Sequence, residues 1–234
     1  MIQDPHLEVE RIDLHHVLIL NKYPVERGHM LLITQDWASQ VHWLTHEDWH
    51  ALVKVDRDST GLWFFNSGPR AGASQPHRHL QLLPRHQQER ICPRLSWFER
   101  HLQVSALNSA GADDLGPLSR SCVMAERPRS ADPGEEALRL HALYRSLAAR
   151  LGLGRISSQH PPSVPYNLLL TRSWLALIRR SQDEFRGFSI NALGFAGYLL
   201  ATDRSDLPWL RTHGGDQLLR MVVSEFSGCT DAMN

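Results

Sequence analysis

Cysteine, net charge and long apolar runs are all scarce in this 234-residue chain. Cys92, Cys122 and Cys229 are odd in number and widely scattered. That spacing suits neither a disulfide framework nor a cysteine-based zinc site, and it predicts reduced thiols in a cytoplasmic protein. Lys plus Arg and Asp plus Glu both number 25, so the formal charge is zero. The chain as a whole therefore offers no field for nucleic acid or an anionic membrane, and any anion must be held by a local pocket. No apolar run approaches the roughly 20 residues that span a bilayer. The opening MIQDPHLEVERID is polar and acidic, unlike a signal peptide. There are no internal repeats. A hydrophobic share of 42% is ordinary for a soluble globular protein. The length suits one substantial domain, or at most two small ones, with a well-buried core, and a single domain over 1–234 is expected.

What is present reads as alternating strands and helices. HVLIL (16–20) and HMLLIT (29–34) predict strands joined by the Pro- and Gly-punctuated NKYPVERG. Thr45 followed by Asp48 predicts a helix N-terminus, and EDWHALVKVDRDS carries apolar groups at helical spacing. GLWFFNSG and HRHLQLLP predict a third and a fourth strand, adjacent across a short Gly-rich turn. From about Leu102 to Pro133 periodicity is lost, which predicts a long loop or excursion. A helix follows, opened by Asp132 and Pro133, closed by Gly152, with Leu140, Leu143, Tyr144, Leu147 and Leu151 on one face. YNLLLT and WLALIRR read as two strands around a tight turn. The small residues of SINALGFAGYLL suit a packed helix. Leu218, Leu219, Val222, Val223 and Phe226 predict a C-terminal amphipathic helix. The sum is an α+β fold with a mainly antiparallel sheet flanked by helices.

One stretch is chemically unusual. GASQPHRHLQLLP places His77, His79 and Gln81 two residues apart, with Leu80 and Leu82 on the other parity. On a strand the first three share a face. Three readings compete for that face. It is a solvated polar surface, or His77 and His79 are paired metal ligands that lack a third, or one imidazole is a nucleophile that attacks phosphorus. The neighbours favour the nucleophile. Gly72, Ala73 and Ser74 form a turn whose small side chains let backbone N–H groups approach an anion. Ser74 adds a hydroxyl, and Asn66 and Gln75 add neutral amides, all suited to charge on phosphoryl oxygens. Arg78 points to the opposite face and is left out of the site.

The segment FFNSGPRAGASQPHRHLQLLP resembles the active-site stretch of the diadenosine tetraphosphate (Ap4A) phosphorylases, or ATP adenylyltransferases, of the histidine-triad (HIT-like) superfamily. HHVLILNKYPVERGHMLLITQDW resembles their upstream hairpin, and YNLLLTRSWLALIRRSQDEFRGFSINALGFAGYLL their C-terminal segment. The resemblance implies a HIT-like nucleotidyltransferase. His79 would attack an α-phosphorus of the dinucleoside polyphosphate and expel ATP, and inorganic phosphate would collect the adenylyl group as ADP. His77 would orient His79 through its main-chain carbonyl, and Gln81 would hold a phosphate oxygen. Asn66, Gly72, Ala73, Ser74 and Gln75 match the phosphate-binding loop. Asn21 and Lys22 match nucleotide contacts on the first hairpin. Asn191, Ala192, Leu193 and Tyr198 match C-terminal contacts. Each has a plainer role: Asn21 and Asn66 as turn residues, Lys22 as a loop charge, Asn191 as a helix cap.

No metal site and no tightly bound cofactor are expected, with Mg²⁺ assisting through the polyphosphate substrate. Oligomeric state is not legible. Histidine-triad hydrolases carry a third histidine where this chain has Gln81, and a carboxamide has no proton to transfer near neutral pH. Relatives usually carry a further region with a basic substrate contact before the first hairpin, which here begins almost at once. The alternatives are a hexose-1-phosphate uridylyltransferase-like enzyme and a non-catalytic nucleotide-binding protein. The former usually has proline where this chain has Arg78.

Overall fold

A computed structural model describes residues 5–85, 91–106, 116–157 and 159–225. Its frame is an antiparallel sheet fed by both halves of the chain. The first half supplies β1 (Glu8–Arg11), β2 (His16–Leu20), β3 (Met30–Thr34), β4 (Gly61–Asn66) and β5 (His79–Pro84). The second supplies β6 (Cys122–Glu126), β7 (Tyr166–Leu170) and β8 (Trp174–Arg179). The eight strands run in the order β1-β2-β3-β5-β4-β7-β8-β6. The β4–β7 pairing, with Phe65 opposite Leu168, joins the halves. A small hairpin, β9 (Glu184–Phe185) with β10 (Phe188–Ser189), stands apart.

Helices α1 (His46–Asp58) and α3 (Pro133–Arg150) cover one face. Leu80 and Leu82 of β5 point there, into a core with Trp49, Leu52, Leu140 and Leu147. The other face is covered by α2 (Leu95–Ala106), α4 (Ala192–Ala196) and α5 (Leu207–Arg220), which pack on β4, β7, β8 and β6. Those helices stop at the middle of the sheet. Beyond Phe64 and Leu83, the same face of β5, β3 and β2 continues as Gln81, His79, Leu31, Ile33 and Ile19 without a helix above it.

Local signals account for most element ends. Thr45 and Asp48 form a reciprocal capping box at α1. Asp132 caps α3, with Pro133 in its first turn. His16–Leu20, Gly61–Asn66 and the β7–β8 hairpin stand where the sequence predicts them. The strand expected from His77 begins at His79, and His77 makes an isolated bridge to Ser39.

Three expectations need correction. The span 102–133 is not one long loop. It holds the end of α2, a 3₁₀ turn at Pro117–Ser121 and the edge strand β6, while 107–115 lie outside the described residues. Only five residues long, β6 buries Cys122 and Met124 on one parity, too short a pattern to stand out among Ser and Arg. SINALGFAGYLL yields only the short α4, because Gly197 adopts a left-handed φ of 114° and ends it. The C-terminal span Leu207–Arg220 is two helical segments that meet at a kink at Gly214 (φ 80°); Asp206 caps the first, and the second, which holds Leu218 and Leu219, ends at Arg220. Val222 is buried past its end and Val223 bridges Arg180; Phe226 lies outside the described residues.

A buried charge cluster ties α1 to the underside of β5. Asp48 accepts from Arg78 Nη1 at 3.0 Å, meets His16 Nε2 at 3.0 Å and accepts the Thr45 N–H at 2.7 Å. Asp48→Ala would leave His16 and Arg78 without their shared carboxylate. Removing one partner of a buried pair costs about 3–5 kcal/mol. Urea unfolding should show a loss of that order, and a loss below about 1 kcal/mol would show that the cluster does not brace the sheet.

Candidate active site

The uncovered half of the sheet is the floor of a cleft of about 640 Å³. Ile19, Leu31 and Ile33 make its apolar side, and His77, His79 and Gln81 its polar side. The pairings Leu31↔Gln81 and Ile33↔His79 put the two sides next to each other across β3 and β5. Asn21, Lys22 and Tyr23 from the β2–β3 turn, Trp37, and Ser74 and Gln75 from the Gly-rich turn form the rim.

His79 is 7% exposed and held at three atoms. Its Nδ1 lies 2.8 Å from the His77 main-chain oxygen. A carbonyl can only accept, so Nδ1 carries the proton and Nε2 keeps a lone pair. Gln40, 1% exposed, receives the His79 N–H at 2.8 Å. The Gln40 amide then donates to the carbonyls of His79 and Asn66, at 3.2 and 2.8 Å. Burial pushes the His79 pKa below the usual histidine value, while the hydrogen bond to His77 pulls the other way. The result is a neutral imidazole with one defined tautomer.

The His77 side chain is turned elsewhere. Its Nε2 meets Thr34 Oγ1 at 2.9 Å and the Asp36 carbonyl at 3.1 Å, and its ring packs on Trp37 with centroids 5.3 Å apart. Gln81 Oε1 lies 3.1 Å from Nε2 of His29, a residue that sequence reasoning did not single out. His29 is 2% exposed and packs at a tilt against Phe64, and burial pushes its pKa down to about 4. The only signal for it was parity: His29, Leu31 and Ile33 alternate on one face of the HMLLIT strand.

The remaining candidates gather behind the cleft. Gly72 has φ 86°, and a Cβ there would sit 2.8 Å from Asn191 Cα and from the Ile190 carbonyl. Only glycine allows this approach of the loop to the start of α4. Asn191 caps α4 by accepting the Leu193 N–H at 2.9 Å, the plainer of its two roles. The Ala192 N–H donates to Asn66 Oδ1 at 2.9 Å, and Asn167 donates to the same oxygen at 2.8 Å. Ala73 donates its N–H to the Gly68 carbonyl. Half-buried Tyr198 packs on the second core. Asn66, Gly72, Ala73, Asn191, Ala192, Leu193 and Tyr198 are therefore absent from the cleft lining, and the structure joins most of them into a support for its loop. Also missed was Arg180, 1% exposed, whose guanidinium donates to Asn167 Oδ1 and to the carbonyls of Ala71 and Ile190. Burial lowers its pKa to about 9. It places a cation directly beneath the Gly-rich loop.

A mainly antiparallel sheet with flanking helices and an open histidine strand is the HIT-like arrangement. Comparison with known proteins identifies the branch. Residues 1–94 match the model of the Ap4A phosphorylase N-terminal domain, and residues 118–225 that of the ATP adenylyltransferase C-terminal domain. The chain belongs to the Ap4A phosphorylase/ATP adenylyltransferase family. It is 30% identical over 217 residues to the diadenosine 5',5'''-P1,P4-tetraphosphate phosphorylase 2 of Saccharomyces cerevisiae, over 83% of this chain and 65% of that protein. It is 28% identical over 200 residues to Protein APA1 of the same yeast, over 78% of this chain and 60% of that one. The chain thus spans somewhat less than two thirds of the length of these relatives. The crystal structure of yeast Ap4A phosphorylase Apa2 superposes with a TM-score of 0.70 at 27% identity, covering 97% of this chain and 79% of Apa2. Apa2 in complex with Ap4A gives the same score at 25% identity, over 97% of this chain and 80% of Apa2. Among the described residues, no helix is long and apolar enough to cross a membrane.

Protonation follows from burial. His29 and His79 have depressed pKa values, so the stability they contribute is present above about pH 6.5 and is lost as pH falls, for His29 toward about 4. His16 has the opposite sign. Burial opposes its charge, but Asp48 and then Asp13 raise its pKa above 6.5. Its contribution is complete below pH 6.5 and is lost as pH climbs through the raised value. Histidine-selective NMR titration should find the His29 ring neutral down to about pH 4. A midpoint near the ordinary 6.5 would show that the ring is not desolvated.

Proposed function

We propose that this protein cleaves diadenosine tetraphosphate with inorganic phosphate, giving ATP and ADP through an adenylyl-histidine. The observation that carries the reading is the His79 tautomer, with Nδ1–H committed to the His77 carbonyl and an unprotonated Nε2. In the first step Nε2 forms a bond to the α-phosphorus, and the bond from that phosphorus to the bridging oxygen breaks. ATP departs as a polyphosphate anion, so the step needs little acid help. The imidazole gains positive character as the N–P bond forms, and the His77 carbonyl stabilises the Nδ1–H that carries it. In the second step a phosphate oxygen attacks the same phosphorus, the N–P bond breaks and ADP leaves.

Support for the substrate class comes from the cleft and from the relatives. An apolar floor beside a polar strip suits a nucleoside joined to phosphates, with Ser74, Gln75 and Lys22 at the rim as anion partners. Arg180 beneath the loop adds a fixed positive potential. Mg²⁺ arriving with the polyphosphate would offset its charge, and the reading includes no tightly bound cofactor. A cytoplasmic location suits this substrate and the buried free thiols of Cys92 and Cys122.

Incubation with Ap4A, with and without phosphate, is the direct test. ADP and ATP should form only with phosphate, and enzyme trapped without it should carry an adenylate on His79. His79→Ala should lower kcat by on the order of 10⁴-fold or more, with the fold intact by circular dichroism. Full activity of that variant would overturn the assignment.

Gln81 bears on the choice of acceptor. Water attack on the intermediate needs a base, whereas phosphate arrives anionic, and a carboxamide supplies no base. Gln81→His should therefore raise the ratio of AMP to ADP at fixed phosphate concentration. An unchanged ratio at normal rate would reduce Gln81 to a binding residue.

A further inference from the structure

Gln81 can present either end of its carboxamide to the cleft, and the two ends are chemically opposite. The NH₂ end donates to a phosphoryl oxygen. The oxygen end repels that oxygen and accepts from water instead. We propose that Asn21 and His29 form a positioning relay that turns the NH₂ end of Gln81 toward the reacting phosphate. This inference rests on the reaction proposed above, and nothing in the sequence motifs assigns His29 a role.

The relay is set by a donor that cannot be reversed. His29 Nδ1 receives the main-chain N–H of Val25 at 3.4 Å and the Asn21 Nδ2 amide at 3.2 Å. Asn21 has its own orientation fixed, because its Oδ1 accepts the Tyr23 main-chain N–H at 3.0 Å. With Nδ1 acting as an acceptor, the neutral ring must carry its proton on Nε2. That proton faces Gln81 at 3.1 Å and selects Oε1 as its partner. The amide nitrogen of Gln81 is left to the cleft, which Gln81 lines beside His79. The ring is 2% exposed and packed 5.7 Å from Phe64, centroid to centroid, so water does not compete for either nitrogen. Its low pKa, set chiefly by burial, keeps the neutral form through the physiological range. Asn21 therefore acts on the phosphate at one remove, through His29 and Gln81, rather than only as a turn residue.

His29→Leu keeps the volume and removes both hydrogen bonds. The Gln81 amide can then rotate, so kcat for ADP formation should fall about tenfold while KM changes little, because the interaction is realised mainly in the transition state. The AMP:ADP ratio should rise. His29→Gln, which can accept from Asn21 and donate to Gln81, should recover most of the rate. In a Gln81→Ala background His29→Leu should have no further effect on kcat, since the group it orients is gone. A merely structural role would instead give additive losses and no rescue, and that outcome overturns the relay. Parental kcat in His29→Leu overturns it as well. Long-range ¹⁵N NMR of the imidazole tests the relay independently of turnover. It should show a single Nε2–H tautomer for His29, and an Nδ1–H tautomer would sink the idea even if Ap4A is cleaved. A wild-type protein that forms no ADP from Ap4A refutes the reaction and with it the catalytic part of the relay.

Discussion

The site depends on a sheet that is covered on one face and only half covered on the other. An antiparallel strand sends successive side chains to opposite faces, so β5 must satisfy two environments at once. Leu80 and Leu82 enter the core beneath α1 and α3, while His79 and Gln81 emerge where α2, α4 and α5 have stopped. Apolar packing on the first face holds the register on the second. A slip of one residue would bury both polar groups and expose both leucines, which makes the alternation self-enforcing.

Hydrophobic packing places the strand but does not orient an imidazole. That is done by polar groups that are themselves buried. Gln40 clamps the His79 backbone on both its N–H and its carbonyl. The His77 carbonyl selects the tautomer. On the far side, Arg78 and Asp48 tie the same stretch to the first turn of α1. Behind the Gly-rich loop, Asn66, Asn167 and Arg180 link it to the start of α4. In a low-dielectric interior each of these bonds is expensive to leave unmade, so the network tolerates few arrangements. A preorganised nucleophile is the consequence.

The two family domains meet within one sheet rather than across a linker. The β4–β7 pairing carries the second half of the chain directly onto the strand beside β5. This is why Asn66 on β4 can bond Asn167 on β7 and the α4 N-terminus together. Among the described residues, those of the C-terminal half reach the site as support of the loop and not as cleft wall.

Sequence alone determined the local features. Alternation made β5 a strand with His79 and Gln81 on one face, capping residues started α1 and α3, and the order of motifs pointed to the family. These are short-range patterns, legible because propensity and periodicity act over a few residues. Tertiary structure decided the rest. Gln40, His29 and Arg180 are scattered polar residues with no shared spacing, and they acquire meaning only when distant segments meet. The structure likewise turned Asn191, Ala192 and Leu193 inward, because Gly72 packs against Asn191 and Asn66 occupies the Ala192 N–H. The edge strand β6 escaped notice for the same reason: five residues give too little period to read, and their pairing with β8 is what makes them a strand.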